Sequence, residues 1–350
     1  MSRQHAEHGA SGRPAGSTTI RTIADELGVH PSTVSRALRE DESRKISAAT
    51  RARVLATAEA LGFRPNPVAS SLRTKKTRTV GLLIPRLADV VLARMFEGAE
   101  DRARQLGYQA ITTSTRDEPG SERKLAEGLL ERRVDGLILA TSTTGDPYPD
   151  ELERRRIPFV LLNRSSRDHP CVRGDDELGG YLATRHLIAK GHRRIALIAG
   201  PPELSTTALR RQGFERALAE NDLHSDARLV MSSSLEPQGG FDAGTQLLAR
   251  PDRPTAVFAV NDATAVGVMA AARDLGIRLP DDLAVCGYND SDLSGLLPIP
   301  LTSIALPLRD MGRAAVDLLL ARLTGQAAES VVLAPRLIAR ESTSRPARHP

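Results

Sequence analysis

The sequence predicts an all-α helix-turn-helix head with a hinge helix, joined to an α/β core of two similar doubly wound parallel-sheet lobes. Three observations predict it. Near the N-terminus two short helical patterns flank a glycine-containing turn, and the second begins on a proline. From residue 79 onward, short apolar runs alternate with longer helical patterns, as in parallel sheets covered on both faces. A length of 350 residues, at roughly 150 per domain, allows two or three domains with a sizeable core.

Residues 1–17 are rich in Gly, Ser, Ala and Arg without an apolar period and read as a disordered extension. The helix-turn-helix domain spans 18–64. Its first helix puts Ile20, Ile23, Ala24 and Leu27 on one face and stops at Gly28. After Val29 and His30, Pro31 takes the first position of a second helix, where its missing N–H costs nothing. That helix turns Val34, Ala37 and Leu38 inward and presents Ser32, Ser35 and Arg36 outward. A third helix starts from Ser47 as N-cap, carries Val54, Leu55, Ala58 and Leu61 on one face, and ends at Gly62.

The exposed face of the second helix has short side chains and one long donor. A B-DNA major groove admits such a helix: Arg36 can make a bidentate contact with guanine, and Thr33 and Ser35 are placed for phosphate oxygens. Charge agrees with a polyanionic partner for the head. Residues 1–80 hold 14 Lys and Arg against 7 Asp and Glu, or +7, so with +5 overall the remainder carries −2.

Residues 65–78 read as hinge helix and linker. Asn66 caps, Pro67 suits the first position, Val68 and Leu72 share a face, and Arg73, Lys75, Lys76 and Arg78 follow. About two turns of helix over 66–73 is too short to stand alone in water, which suggests that DNA binding orders it.

TIADELGVHPSTVSRAL, ISAATRARVLATAEALGFRPN and PVASSL together resemble the DNA-binding head and hinge of the lactose repressor and galactose repressor family of bacterial regulators. The resemblance implies that Pro31, Ser32 and Arg36 touch bases. It also implies that the hinge, through Val68, Ala69 and Leu72, enters the minor groove with Leu72 wedged into a central step. His30 stands where that family usually has a capping serine.

The core, 79–345, contains the runs VGLLIP, YQAITT, GLILAT, PFVLLN, IALIAG, RLVMS, TAVFAVN and LAVCGYN. They divide near residue 165 into an N-lobe of about 79–164 and 306–325 and a C-lobe of about 165–305 and 326–342. Four strands end at Asn163, Gly200, Asn261 and Asn289, and Arg210 follows IALIAG. Ligands bind beyond the carboxyl ends of strands in open parallel sheets, so these ends read as a pocket for a polyhydroxylated small molecule. Taken singly, Asp262 and Asp290 read as caps of the helices that follow.

HLIAKGHRRIALIAG, RRQGFERAL, VNDATAVGVMAA, LAVCGYND and PLTSIALPLRDMGRAAVDLLL extend the resemblance over the core, whose architecture the family shares with periplasmic sugar-binding proteins. By position it implies effector contacts at Asn163, Arg210, Asn261 and Asn289. Asn289 lies where aspartate is frequent in the family, and Val90, Val91 and Leu92 lie where proline and aromatic residues are common. On this reading Arg210→Ala silences the effector response and leaves DNA affinity intact.

The expected molecule is a cytoplasmic, nucleoid-associated transcriptional repressor. It binds a palindromic operator on double-stranded DNA as a homodimer and answers allosterically to a sugar or sugar derivative between its lobes. Leu318, Leu319 and Leu323 read as core, and no heptads follow them to build a tetramer. No run approaches ~18 apolar residues, and the N-terminus lacks a secretory signal, so no membrane is involved. Cys171 and Cys286 sit outside metal-ligand spacings and read as core residues in a reducing compartment. No dinucleotide, phosphate-loop or nucleophile-elbow motif is present, and His186 and His192 read as a surface pair. The chain is therefore expected not to be an enzyme and to need no metal or cofactor. The alternative is a sugar-binding protein without a DNA function.

Overall fold

The computed structural model describes residues 18–38, 46–63, 76–118, 120–327 and 329–344. The chain divides into two units, between Thr77 and Arg78. The extension 1–17, and the hinge helix with Val68, Ala69 and Leu72, lie outside the described residues.

In the head, α1 (Ile20–Leu27) starts from Thr19, which forms a reciprocal capping box with Thr22, and ends at Gly28 in the left-handed conformation. Helices α2 (Pro31–Ala37) and α3 (Ala48–Ala60) follow, the latter capped by Ser47. Ile23, Ala24, Val34, Ala37, Val54 and Ala58 form one buried cluster. Of the four residues expected on the α3 face, Val54 and Ala58 are buried, whereas Leu55 and Leu61 are 43% and 37% exposed. Ile46 and Phe63, from outside the helix, fill the space instead.

The second unit holds two six-stranded sheets. The first runs β11 (Val331–Leu333), β5 (Cys171–Gly174), β4 (Phe159–Leu162), β3 (Gly136–Leu139), β1 (Thr79–Ile84), β2 (Gln109–Ser114), all parallel. The second runs β12 (Arg336–Ile338), β10 (Thr302–Ala305), β9 (Ala284–Asn289), β8 (Ala256–Ala259), β6 (Ile195–Ala199), β7 (Val230–Ser232). Only β12 is antiparallel to its neighbour. Both sheets repeat one winding, with strand order reversing at β1/β3 in one and β6/β8 in the other.

Helices α4 (Val90–Gln105), α5 (Ser121–Glu131) and α6 (Tyr148–Arg154) belong with the first sheet's sequence. The second sheet's sequence carries α7 (Asp176–Ala189), α8 (Ser205–Ala219), α9 (Pro237–Leu248) and α10 (Asp262–Asp274). Helix α11 (Leu308–Leu323) returns to the first lobe and packs along α4. Leu318 and Leu319 are buried there, as their spacing predicts.

Two sequence expectations need correction. The lobe boundary falls after Gly174 rather than near residue 165, because β5 extends the first sheet, and β11 also joins that sheet although the sequence places 326–342 in the second lobe. Strand β2 is an edge strand with exposed positions, not apolar on both faces, since among the described residues no strand pairs with its outer side.

Candidate DNA-reading helix and ligand cleft

Helix α2 is held by buried Val34 and Ala37. Ser32 and Arg36, four residues apart, share the exposed side, while Pro31, Thr33 and Ser35 are half-buried. A residue that motif reading left in the connection proves to be the cap. The His30 ring Nδ1 accepts from the Ser32 backbone N at 3.2 Å and lies 2.8 Å from Ser32 Oγ. A histidine in place of an expected serine was the available signal.

In the second unit the two reversal points bring together the C-terminal ends of β1, β3, β6 and β8, where ligands sit in doubly wound sheets. On the second lobe's side, Arg210 lies on α8 and is buried (5% exposed), not open to the cleft as its sequence position suggested. Its Nε donates to Asp176 Oδ1 at 2.8 Å, its Nη1 donates to the Val260 carbonyl at 2.6 Å, and its guanidinium stacks 3.7 Å from the Tyr288 ring centroid. Burial works against the Arg210 charge, but Asp176 and Tyr288 outweigh it and hold its pKa above the ordinary value. Burial pushes Asp176 up, opposed by Arg210. A guanidinium keeps its charge in a protein, so the pair is ionised, with Asp176 as the acceptor.

Asn261 is already engaged at both ends of its amide. Its Oδ1 accepts from Thr264 N at 2.7 Å, capping α10, and its Nδ2 donates to the Leu235 carbonyl at 2.9 Å. The cap expected of Asp262 therefore falls one residue earlier. Asp262 is buried and accepts from Ser291 N, Ser294 Oγ and Ser303 Oγ at 2.6, 2.9 and 2.6 Å, which ties the loop after β9 to β10. Asp290 caps nothing either: it pairs with Arg340 at 2.6 Å. Asn289 is buried and its Oδ1 has no partner among the described residues; its φ of +96° is a strained backbone for a non-glycine residue. Thr207 Oγ1, on the first turn of α8, is likewise buried without a partner.

The first lobe contributes Asn163, half-buried at φ +68°, and beside it Arg164, which is 9% exposed and among the described residues reaches the Thr141 carbonyl at 3.5 Å. Burial lowers the Arg164 pKa, while Asp117, Asp89, Glu122 and Glu203 act to raise it. Glu122, on the first turn of α5, is pushed up to about 7 by burial and by the neighbouring Asp146. Contacts that join the lobes include Thr144 N to the Glu203 carbonyl (2.8 Å), Ser165 N to Ser205 Oγ (2.9 Å), Arg86 with Glu236 (2.5 Å), and Arg94 with Asp292.

Asp176, Tyr288 and Glu122 were not singled out from the sequence. A doubled acid at a strand end (Asp175, Asp176) was a usable signal; Tyr288 inside a strand run was not. Cys171 and Cys286 are free and buried, and His186 and His192 are half-buried, hydrogen-bonded to Thr343 and Thr255 rather than forming a surface pair.

A three-helix head with an arginine-bearing exposed helix, joined to a two-lobed core with a polar cleft, defines a DNA-binding regulator with an effector domain. Comparison with known proteins agrees. Residues 19–66 match the model for bacterial regulatory proteins of the lacI family, and residues 184–343 match the periplasmic binding protein-like domain. The chain is 35% identical to the ribose operon repressor of Escherichia coli K12 over 309 residues, covering 87% of this chain and 93% of that one. It is 32% identical to the HTH-type transcriptional repressor PurR of Photobacterium profundum, covering 93% and 98%. Among solved structures, the lac repressor dimer bound to operator and the anti-inducer ONPF superposes with a TM-score of 0.83 at 29% identity, covering 94% and 99%. A CelR–cellobiose complex gives 0.72 at 32% identity, covering 93% and 99%. The chain belongs to the lacI family of bacterial regulatory proteins and is a DNA-binding transcriptional regulator with an effector-binding core. These relatives are repressors and regulators, not enzymes, and no helix among the described residues is long and apolar enough to cross a membrane.

Proposed function

We propose that this regulator represses transcription by binding a palindromic operator as a homodimer, under control of an uncharged, hydroxyl-rich effector, a sugar or sugar derivative, held between the lobes. Pro31, Ser32 and Arg36 read bases, Thr33 and Ser35 engage phosphates, and the hinge residues Val68, Ala69 and Leu72 enter the minor groove. Arg210 and Asn261 shape the effector site, and Asn163 and Asn289 contact the ligand.

The observation that carries the effector reading is the charge at the cleft. Arg164 is buried amid the fields of Asp117, Asp89 and Glu203, and Arg210 is already neutralised by Asp176. A hydroxyl donates to carboxylates and accepts from guanidinium alike, whereas a phosphate or carboxylate would meet excess negative charge. The ribose and cellobiose in the names of two relatives support the same class. For the homodimer, Leu87, Val90, Leu293 and Leu296 are each more than half exposed, and the Arg94–Asp292 pair links α4 to the loop that bears the last two. An apolar surface of this kind suits a second copy, and a lac repressor structure of similar fold is a dimer.

The test is a gel shift on an inverted-repeat duplex, which should occur with the full chain and vanish once residues 1–78 are removed. Arg36→Ala should cost about 1–3 kcal/mol and relax sequence preference. Equal losses on specific and random duplexes would refute base reading by Arg36. In a thermal-shift panel a neutral sugar should raise Tm, and stronger binding by its phosphate ester would overturn the uncharged effector.

A further inference from the structure

The His30 contacts fix more than a helix start. A backbone amide can only donate, so the Nδ1 that accepts from Ser32 N must carry a lone pair, and the ring proton belongs on Nε2. The 2.8 Å contact between the same Nδ1 and Ser32 Oγ then has one consistent polarity: the serine hydroxyl donates its only proton to the ring. What Ser32 has left to offer outward is a pair of acceptor sites. Ser32 is exposed and lies one turn before Arg36, on the side of α2 that carries the guanidinium.

We infer that His30 is a specificity-determining residue that makes Ser32 a hydrogen-bond acceptor only, so that on the contacted strand the base beneath Ser32 is one with an exocyclic amino group in the major groove, adenine or cytosine. This rests on the reading that α2 enters that groove with Ser32 over a base. Guanine and thymine turn only acceptors toward the same place and would face oxygen lone pairs. A serine at position 30 would still cap α2, because a hydroxyl accepts from helix amides. It could also donate to Ser32 Oγ, which would free the Ser32 proton to point outward. His30 therefore differs from a hydroxyl cap in the base it selects, not in whether the helix forms.

The experiment is binding selection from a randomised half-site library at pH 8, with the full-length wild type, Ser32→Ala, His30→Ser and Arg36→Ala. Expected is one position whose preference Ser32→Ala flattens, where the wild type favours adenine or cytosine by roughly three- to tenfold, the worth of one net hydrogen bond. His30→Ser should erase that preference and leave the Arg36-dependent position unchanged. Preference for guanine or thymine at the Ser32-dependent position would overturn the inference, as would an unaltered adenine or cytosine preference in His30→Ser. If Ser32→Ala changes no position while Arg36→Ala does, the inference falls and groove reading by α2 stands; if neither changes any position, both fall.

Discussion

Replacing Arg210 tests whether the cleft is built around a buried ion pair. The guanidinium and the Asp176 carboxylate are 5% and 0% exposed, and the Val260 carbonyl depends on the same arginine. Arg210→Ala strands a charge inside the protein, at a cost of about 3–5 kcal/mol. It also leaves a buried carbonyl unsatisfied, which adds about 1–3 kcal/mol. For a core of this size each kcal/mol moves Tm by about 2–4 °C, so a fall on the order of 10 °C or more follows. Arg210→Met combined with Asp176→Leu removes both charges and should recover most of the loss, retaining about 1–3 kcal/mol for the carbonyl. Chemical denaturation of the wild type, Arg210→Met, Asp176→Leu and the double variant gives the coupling energy directly. A single variant within 2 °C of wild type, or a double variant as unstable as the single, would refute the account. The expectation from sequence that Arg210→Ala removes only the effector response is thereby revised: a silent effector response must be judged against a destabilised core.

Three further predictions follow from packing and charge. A Cβ at Gly312 would lie 1.8 Å from the Met95 carbonyl, and one at Gly98 2.0 Å from that of Arg309; Gly312→Ala should therefore force α4 and α11 apart at about 1–3 kcal/mol or more, seen as a lower denaturation midpoint. Glu122 holds its proton up to about 7 in the folded protein but releases it from about 4.5 when unfolded. Stability should fall as pH rises through that window, by at most about 3 kcal/mol, and Glu122→Gln should flatten the slope; an unchanged slope would contradict it. The Arg86–Glu236 and Arg94–Asp292 pairs are exposed, so Arg86→Ala should change stability by less than about 1 kcal/mol, and Arg94→Ala should leave the denaturation midpoint close to that of the wild type. Each should nonetheless weaken an effector that grips both lobes, by up to about fivefold, and calorimetric titration with unchanged affinity would show that the pairs do not hold the lobes together.

The head was legible because helix periodicity and local punctuation act over a few residues: Pro31, Ser47, Gly28 and Gly62 all sit where their cap chemistry predicts. The long strands were equally plain, since burial on both faces gives an unbroken apolar run, as in Leu137 to Ala140 or Ala256 to Val260. Short segments were not. Cys171–Gly174, Val331–Leu333 and Arg336–Ile338 are three or four residues long and gain strand character from neighbours distant in sequence, so the lobe boundary was misplaced. Strand ends pointed to Asn163, Asn261 and Asn289, but partners did not follow from them. Asp176 meets Arg210 across 34 positions, and Asp262 gathers serines 29 to 41 positions away.

Those misplaced segments also explain how the lobes can move together. The chain passes between the sheets three times, after Gly174, after Ala305 and after Leu333. The crossings touch one another: Asp175 N donates to the Leu333 carbonyl at 2.9 Å, and a Cβ on Gly174 would come within 2.7 Å of Leu306. Three connectors packed side by side leave the lobes no independent sliding and favour rotation about one compact hinge. A ligand spanning the cleft can bias that rotation only by its difference in affinity between the open and closed forms. The exposed Arg86–Glu236 pair resists opening by at most about 1 kcal/mol and the solvent-screened Arg94–Asp292 pair adds little, so a ligand worth about 1–3 kcal/mol of coupling, the usual range for linked sites, is enough to override them. A closure held by weak surface pairs over a stiff hinge is thus matched to control by a small molecule. A cleft locked by another buried pair like Arg210–Asp176 would not be.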